Sequence, residues 1–183
     1  MIFNETVKWK CLCRFFEEAE KEYYVNELAR GLKISPGSAS RICRELEGEG
    51  ILGSQEKGRA LFYSLKNEEP LVKRLKSAWM LERIMGYREC WEGEEVQSVA
   101  LYGSRASGEF ISKSDIDILI ITNADRGVIE GGFAKMKKGI GAALTLTILT
   151  LSEWRGMAGK KDRFYIEVIS NHVLLGGAYL VVG

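Results

Sequence analysis

Two carboxylates stand one residue apart at the head of an apolar run, Ser114-Asp115-Ile116-Asp117-Ile118-Leu119-Ile120-Ile121. The run is rich in β-branched residues and reads as a buried strand. Side chains alternate between the two faces of a strand, so Asp115 and Asp117 share one face. Like charges on one face repel, and stability gives no reason to place them there. A hard divalent cation removes the repulsion, and Mg²⁺ suits oxygen ligands with substrate phosphates completing its shell. A second run, Val96 to Tyr102, leads into Gly103-Ser104-Arg105-Ala106-Ser107-Gly108. With no side chain at Gly103, the backbone N–H groups of that turn can approach an anion, and the Ser104 hydroxyl can donate to a phosphate oxygen. A helix beginning just after Ser104 would add partial positive charge at its N-terminus. One strand end then grips a polyphosphate, and the neighbouring strand holds the metal that bridges it.

The segment GSRASGEFISKSDIDILI resembles the GS…DxD signature of the DNA polymerase β-like nucleotidyltransferase superfamily, most of all its small prokaryotic members, the minimal nucleotidyltransferases. The two motifs together, with Gly108 between them, Ser114 before the first Asp and strands on both sides, carry the resemblance. It spans roughly residues 95–175. It implies a mixed αβ domain in which Gly103 and Ser104 hold the phosphates of a nucleoside triphosphate, with Arg105 and Ser114 beside them. It also implies that Asp115 and Asp117 are the catalytic carboxylates and bind Mg²⁺ or Mn²⁺. For Arg105 a surface position on the helix start is the alternative.

One departure from the pattern bears on catalysis. Active members of that superfamily carry a third carboxylate on a later strand. Here that strand reads Ala143-Leu144-Thr145-Leu146-Thr147-Ile148-Leu149-Thr150, and Thr145 aligns with the missing acid. A hydroxyl is a poor Mg²⁺ ligand and a poor base at neutral pH. Glu153 follows the strand and is expected to cap the next helix or face solvent. His172, the single histidine, reads as a partly buried structural residue, and Lys135, Lys137 and Lys138 as a solvated helix face.

The N-terminal third has a different rhythm. Asn4 is expected to cap a helix starting at Glu5, with Val7, Cys11, Leu12, Phe15, Phe16 and Ala19 at helical spacing. A short helix stops near Gly31. Ser35-Pro36 then opens another, which ends at Gly48-Glu49-Gly50. Short strands over 51–53 and 60–65 flank a turn, Gln55 to Arg59, bearing two cations and a glycine. Helix, helix, turn, helix and a basic-tipped hairpin is the order of a winged helix-turn-helix. The stretch YVNELARGLKISPGSASRICRELEGEGIL resembles winged-helix regulators of the MarR and ArsR type. That resemblance implies a recognition helix over 36–47, with Ser38, Ser40, Arg41 and Arg44 reaching duplex DNA and Lys57 and Arg59 on the wing reaching phosphates. A winged helix used only for protein contacts is the alternative, since Glu45, Glu47 and Glu49 dilute the positive face.

Between the two units, Pro70 to Tyr87 is apolar over more than one face and predicts a packed connecting helix; the break before the second unit falls at Glu92 to Glu95. The expected organisation is α+β: a winged helix-turn-helix over 1–68, a connecting helix over 69–93 and a mixed αβ nucleotidyltransferase-like domain over 94–183. Lys plus Arg number 26 against 25 Asp plus Glu, so DNA must be held by a local patch rather than bulk charge. Cys11, Cys13, Cys43 and Cys90 form no CxxC pair and read as reduced thiols. No run is long enough to span a bilayer and the start shows no apolar signal region, so a cytoplasmic location is expected. Three functions stay open. One is an enzyme that moves a nucleotidyl group to a protein or nucleic acid. The second is a transcription regulator, dimeric on DNA, that senses a nucleotide. The third is an antitoxin-like protein that pairs with a helical toxin.

Overall fold

The computed structural model describes residues 6–93 and 96–181. The chain divides into two compact units, Met1–Lys76 with Phe110–Ser112, and Ser77–Glu109 with Lys113–Gly183.

The first unit begins with α1, Val7–Glu17. Asn4 and Glu5, expected to start it, lie outside the described residues. Among those described the cap is Thr6, whose hydroxyl accepts from Trp9 N. Tyr23–Tyr24 form a two-residue strand, β1, too short to show a period in the sequence. Then follow α2, Val25–Leu32, and α3, Pro36–Gly48. α2 stops near Gly31, as expected; its cap is Lys33, in the left-handed conformation at φ 54°, where its N–H reaches back to the carbonyls of Ala29 and Arg30. Ser35 caps α3 as its sequence predicts, accepting from Ser38 N with Pro36 in the first turn. Strands β2, Leu52–Lys57, and β3, Ala60–Leu65, make a hairpin longer than expected: Gln55 to Lys57 lie in the strand, and the turn is only Gly58-Arg59. The sheet order is β1-β3-β2, antiparallel throughout. Cys11, Phe15 and Phe16 of α1, Leu28 of α2, Ala39, Cys43 and Leu46 of α3, and Leu52 and Tyr63 of the sheet are fully buried, which makes the core of this unit.

Helix α4, Pro70–Met85, carries apolar residues on several faces, as expected; Val72, Trp79, Met80 and Ile84 are buried. Lys76 is buried too, within the first unit. Its ammonium donates to Asn67 Oδ1 (2.9 Å) and the Phe110 carbonyl (2.8 Å).

The second unit is built on β4, Val96–Tyr102. After it come α5, Gly103–Ser107; β5, Ile116–Thr122; α6, Arg126–Gly132; α7, Ala134–Gly139; and β6, Leu144–Leu149. Helices α8, Leu151–Lys160, and α9, Arg163–Ser170, lead to β7, His172–Gly177. The sheet order is β6-β5-β4-β7. β4 pairs antiparallel with β5 and β7, and β5 pairs parallel with β6. A parallel partner needs a crossover, which α6 and α7 supply. Ala100, Tyr102, Leu119 and Ile121 on one face form a core with Trp154 of α8 and Val168 of α9. The alternate residues Val99, Leu101, Ile118 and Ile120 are equally buried, so β4 from Val99 on and β5 from Ile118 on are covered on both faces. No helix among the described residues is long and apolar enough to cross a membrane.

Candidate active site

The register of the second sheet sets one row of side chains across its four strands. Thr145 of β6 pairs with Asp117 of β5, Asp117 with Tyr102 of β4, and Tyr102 with His172 of β7. Directly opposed residues share a face. Along β5 the next two residues on that face, Leu119 and Ile121, belong to the apolar core, so the row is the polar rim of a greasy surface.

Gly103 follows Tyr102 and is therefore beside Asp117. Its φ is +70°, a conformation that L side chains rarely adopt. A Cβ built on it would lie 2.9 Å from Asp117 Oδ2. The turn and the carboxylate are thus as close as a glycine allows. Helix α5 starts at Gly103, two residues earlier than expected, and has only five residues, so a summed helix dipole adds little here. Ser104 is half-buried beside it. Asp115 is exposed in the loop just before β5, not within the strand as its sequence suggests, whereas Asp117 is half-buried. Burial, and then the charges of Asp115 and Glu167, push the Asp117 carboxyl above its usual range; Arg105 pulls the other way.

Arg105 is buried, 4% exposed, which corrects the alternative reading of it as a surface residue on the helix start. Both Nε (3.2 Å) and Nη2 (2.6 Å) donate to the Ser114 carbonyl. Burial, with Arg83 nearby, brings its pKa down to about 10 although Asp115 and Asp117 oppose the shift. Arg105 thereby ties the glycine-serine turn to the residue that precedes Asp115, and Ser114 contributes its carbonyl to that tie. The Ser77 hydroxyl donates to the Ala106 carbonyl (2.8 Å) and anchors the same turn from below. Replacing Arg105 with Ala should cost about 2 kcal/mol, the worth of charge-assisted hydrogen bonds to a buried acceptor, visible as a lower melting temperature.

Residues 84–170 match the family model described as the nucleotidyltransferase domain. The matched stretch holds both Gly103-Ser104 and Asp115-x-Asp117. No curated protein matches the chain. Three solved structures resemble parts of it. A toxin-antitoxin with AMP-PNP is 18% identical over 54% of this chain and 73% of its own, with a TM-score of 0.39. A putative nucleotidyltransferase from Sulfolobus solfataricus is 19% identical over 60% and 91%, with a TM-score of 0.38. A possible transcriptional regulator from Methanosarcina mazei Go1 is 17% identical over 50% and 82%, with a TM-score of 0.33.

Among the described residues, no three acidic, histidine or cysteine side chains converge closely enough to hold an ion unaided. Asp115 and Asp117 still fit a hard cation. They are oxygen donors that repel each other, and phosphate oxygens can complete such a shell. Thr145 brings only a hydroxyl to the row. Glu153 does not replace it: its carboxylate accepts from the N–H and hydroxyl of Thr150 (both 2.8 Å) in a capping box at the start of α8, and those bonds hold its pKa low. A cavity of about 900 Å³ lined by Gln97, Ser98, Ile121 and Trp154 lies at the opposite end of β4 and β5 and does not serve this row.

The residues expected to meet DNA all belong to the first unit. Ser38 and Ser40 are half-buried near the start of α3, and the Ser38 hydroxyl accepts from Ser35 (2.9 Å). Arg41 is exposed and paired with Glu45 (3.4 Å); Arg44 is exposed, with Nε 3.5 Å from the Ser40 carbonyl. Lys57 pairs with Glu22, and Arg59 is exposed at the hairpin turn.

Proposed function

We propose that the nucleotidyltransferase domain seats a nucleoside triphosphate with Mg²⁺ or Mn²⁺ at Gly103, Ser104, Asp115 and Asp117. The observation that carries this reading is the approach of Gly103 to Asp117, which leaves no room for a side chain between a backbone turn and a carboxylate. A bound cation would neutralise the two aspartates and polarise the phosphates. The turn's N–H groups and the Ser104 hydroxyl orient the triphosphate, and Arg105 keeps the two halves in register. Nucleotidyl transfer then needs an acceptor hydroxyl in line with the α-phosphate. The new O–P bond forms as pyrophosphate leaves, and the hydroxyl proton must find a base. With Thr145 beside Asp117, that last part is the weak one, so binding is strong and turnover slow. The test is labelled ATP, and in parallel the other nucleotides, with candidate protein and RNA acceptors. Thr145→Asp should raise transfer; robust transfer by the wild type that Thr145→Asp does not increase would refute the assignment of that position.

A second reading concerns the first unit, which we infer to be a winged helix-turn-helix that binds duplex DNA as a dimer on two half-sites. The turn between α2 and α3, and a hairpin beside α3, support it. Arg41 and Lys57 must exchange their glutamate partners for phosphates, so affinity should be modest and steeply salt-dependent. In gel shifts with DNA from the native locus, Arg41→Ala plus Arg44→Ala should weaken binding. The slope of log K against log salt should fall by about one for each phosphate that the variant no longer neutralises. Unchanged binding by that variant would remove α3 from the interface.

A further inference from the structure

Between its two motifs the chain leaves the second unit and returns to it. Phe110–Ser112, which lie between Gly103-Ser104 and Asp115-x-Asp117, belong to the first unit. They are held there by ties that start at the residues following α1. In the first tie, the Ala19 carbonyl accepts from Asn67 Nδ2 (2.7 Å), and Asn67 Oδ1 accepts from the Lys76 ammonium. That ammonium also donates to the Phe110 carbonyl and lies over the Phe110 ring, 4.7 Å from its centre. Phe110 and Lys76 are each 1% exposed. A buried ammonium needs its acceptors, so lifting Phe110 away would be costly. In the second tie, the Glu20 carboxylate accepts from the backbone N–H of Ser112 (3.0 Å) and from the Ser112 hydroxyl. Glu20 is exposed, so this tie can be removed without opening a core.

We propose that Glu20 is a positioning residue for the nucleotide site: by fixing Ser112 it fixes Asp115, three residues further along the chain. This rests on the reading of Asp115 as a ligand of the cation that accompanies a nucleoside triphosphate. The two aspartates are held differently. Asp117 lies inside β5, with a ladder partner on either side. Asp115 precedes the ladder, which opens at Ile116, so its place depends on the loop that carries it. Arg105 binds the Ser114 carbonyl and Glu20 binds Ser112, so the loop is held on either side of Lys113. Without Glu20 the loop keeps its hold at Ser114 and loses the one at Ser112. Asp115 then samples more positions, and a ligand that must be ordered as the ion binds costs affinity. Linkage is reciprocal, so an ion seated on Asp115 should in turn hold Ser112 against Glu20. A change in the first unit at the end of α1 is thereby felt at the cation.

The experiment is a double-mutant cycle on the full chain, with Mn·AMP-PNP affinity measured by calorimetric titration. Glu20→Ala should weaken binding about tenfold, the lower end of what loss of an outer partner of a metal ligand costs, and melt close to the wild type. Glu20→Gln keeps an acceptor oxygen for the Ser112 N–H and should restore most of the affinity. Asp115→Asn should cost less in the Glu20→Ala background than in the wild type. The combined loss should fall short of the product of the single losses by about threefold or more. Three results would each overturn the role of Glu20 and leave the nucleotide site standing: wild-type affinity in Glu20→Ala, losses that simply multiply, or a Glu20→Gln variant no better than Glu20→Ala, which would mark a distant effect of charge. A wild type that binds no Mn·AMP-PNP, or binds it no better than Asp115→Asn does, defeats the underlying reading, and the inference with it.

Discussion

Asp117→Asn is expected to weaken Mg·ATP binding more than about 100-fold, beyond the range that loss of an outer partner of a metal ligand costs. The same substitution should raise the melting temperature of the nucleotide-free protein. Burial and Asp115 push the Asp117 carboxyl up, so the folded chain disfavours its ionised form. A carboxyl whose folded pKa lies above its unfolded one costs stability as pH rises through that range, and the cost is in full force at neutral pH. Asn removes the charge at nearly constant shape. The two effects have opposite sign, and thermal melts with and without Mg·ATP measure both: the variant should melt higher alone, and the wild type higher with ligand. A variant that keeps wild-type Mg·ATP affinity would remove Asp117 from the site.

The second large effect is expected from Gly103→Val. The residue sits at φ +70°, where an L side chain costs roughly 1–2 kcal/mol. Its Cβ would also meet Asp117 Oδ2 at 2.9 Å, and the added branches leave that carboxylate no place in the row. Gly103→Ala carries the same backbone cost with a smaller intrusion. Both should fold, and nucleotide affinity should fall from Gly to Ala to Val, measured by calorimetric titration with Mg·AMP-PNP. Equal affinity in all three would show that the close approach of turn and carboxylate is incidental.

Much of this was legible in the chain itself, for identifiable reasons. Gly103-Ser104 follows the apolar residues 99–102 and Asp117 leads into the apolar residues 118–121, and such runs read as strands buried on both faces. Ser35-Pro36 and Thr150-x-x-Glu153 are local capping chemistry, which needs no knowledge of the fold. The misses have causes as well. Arginine reads as a surface residue, so nothing local reveals that Arg105 turns inward to the carbonyl of Ser114; that hydrogen bond depends on how the loop after α5 returns to β5. The left-handed cap of α2 falls on Lys33 rather than on Gly31, the residue type favoured there, and no local signal in the sequence marks it. Asp115 falls outside β5 because the parallel ladder begins at Ile116 opposite Leu144, a tertiary register.

The position of β7 has a consequence for the newborn chain. Tyr102 leaves the ribosome with its partner Asp117 close behind, but its other neighbour, His172, is made only after β5, β6 and the helices between. Until then β4 has one bare edge, formed by Val99, Ala100 and Leu101, and an unpaired apolar edge is a template for association with other chains. Pairings so distant in sequence also form slowly. A chain cut short after β6 would therefore carry both signature motifs and still be prone to aggregate, so β7 acts as a seal that makes the earlier strands safe to expose.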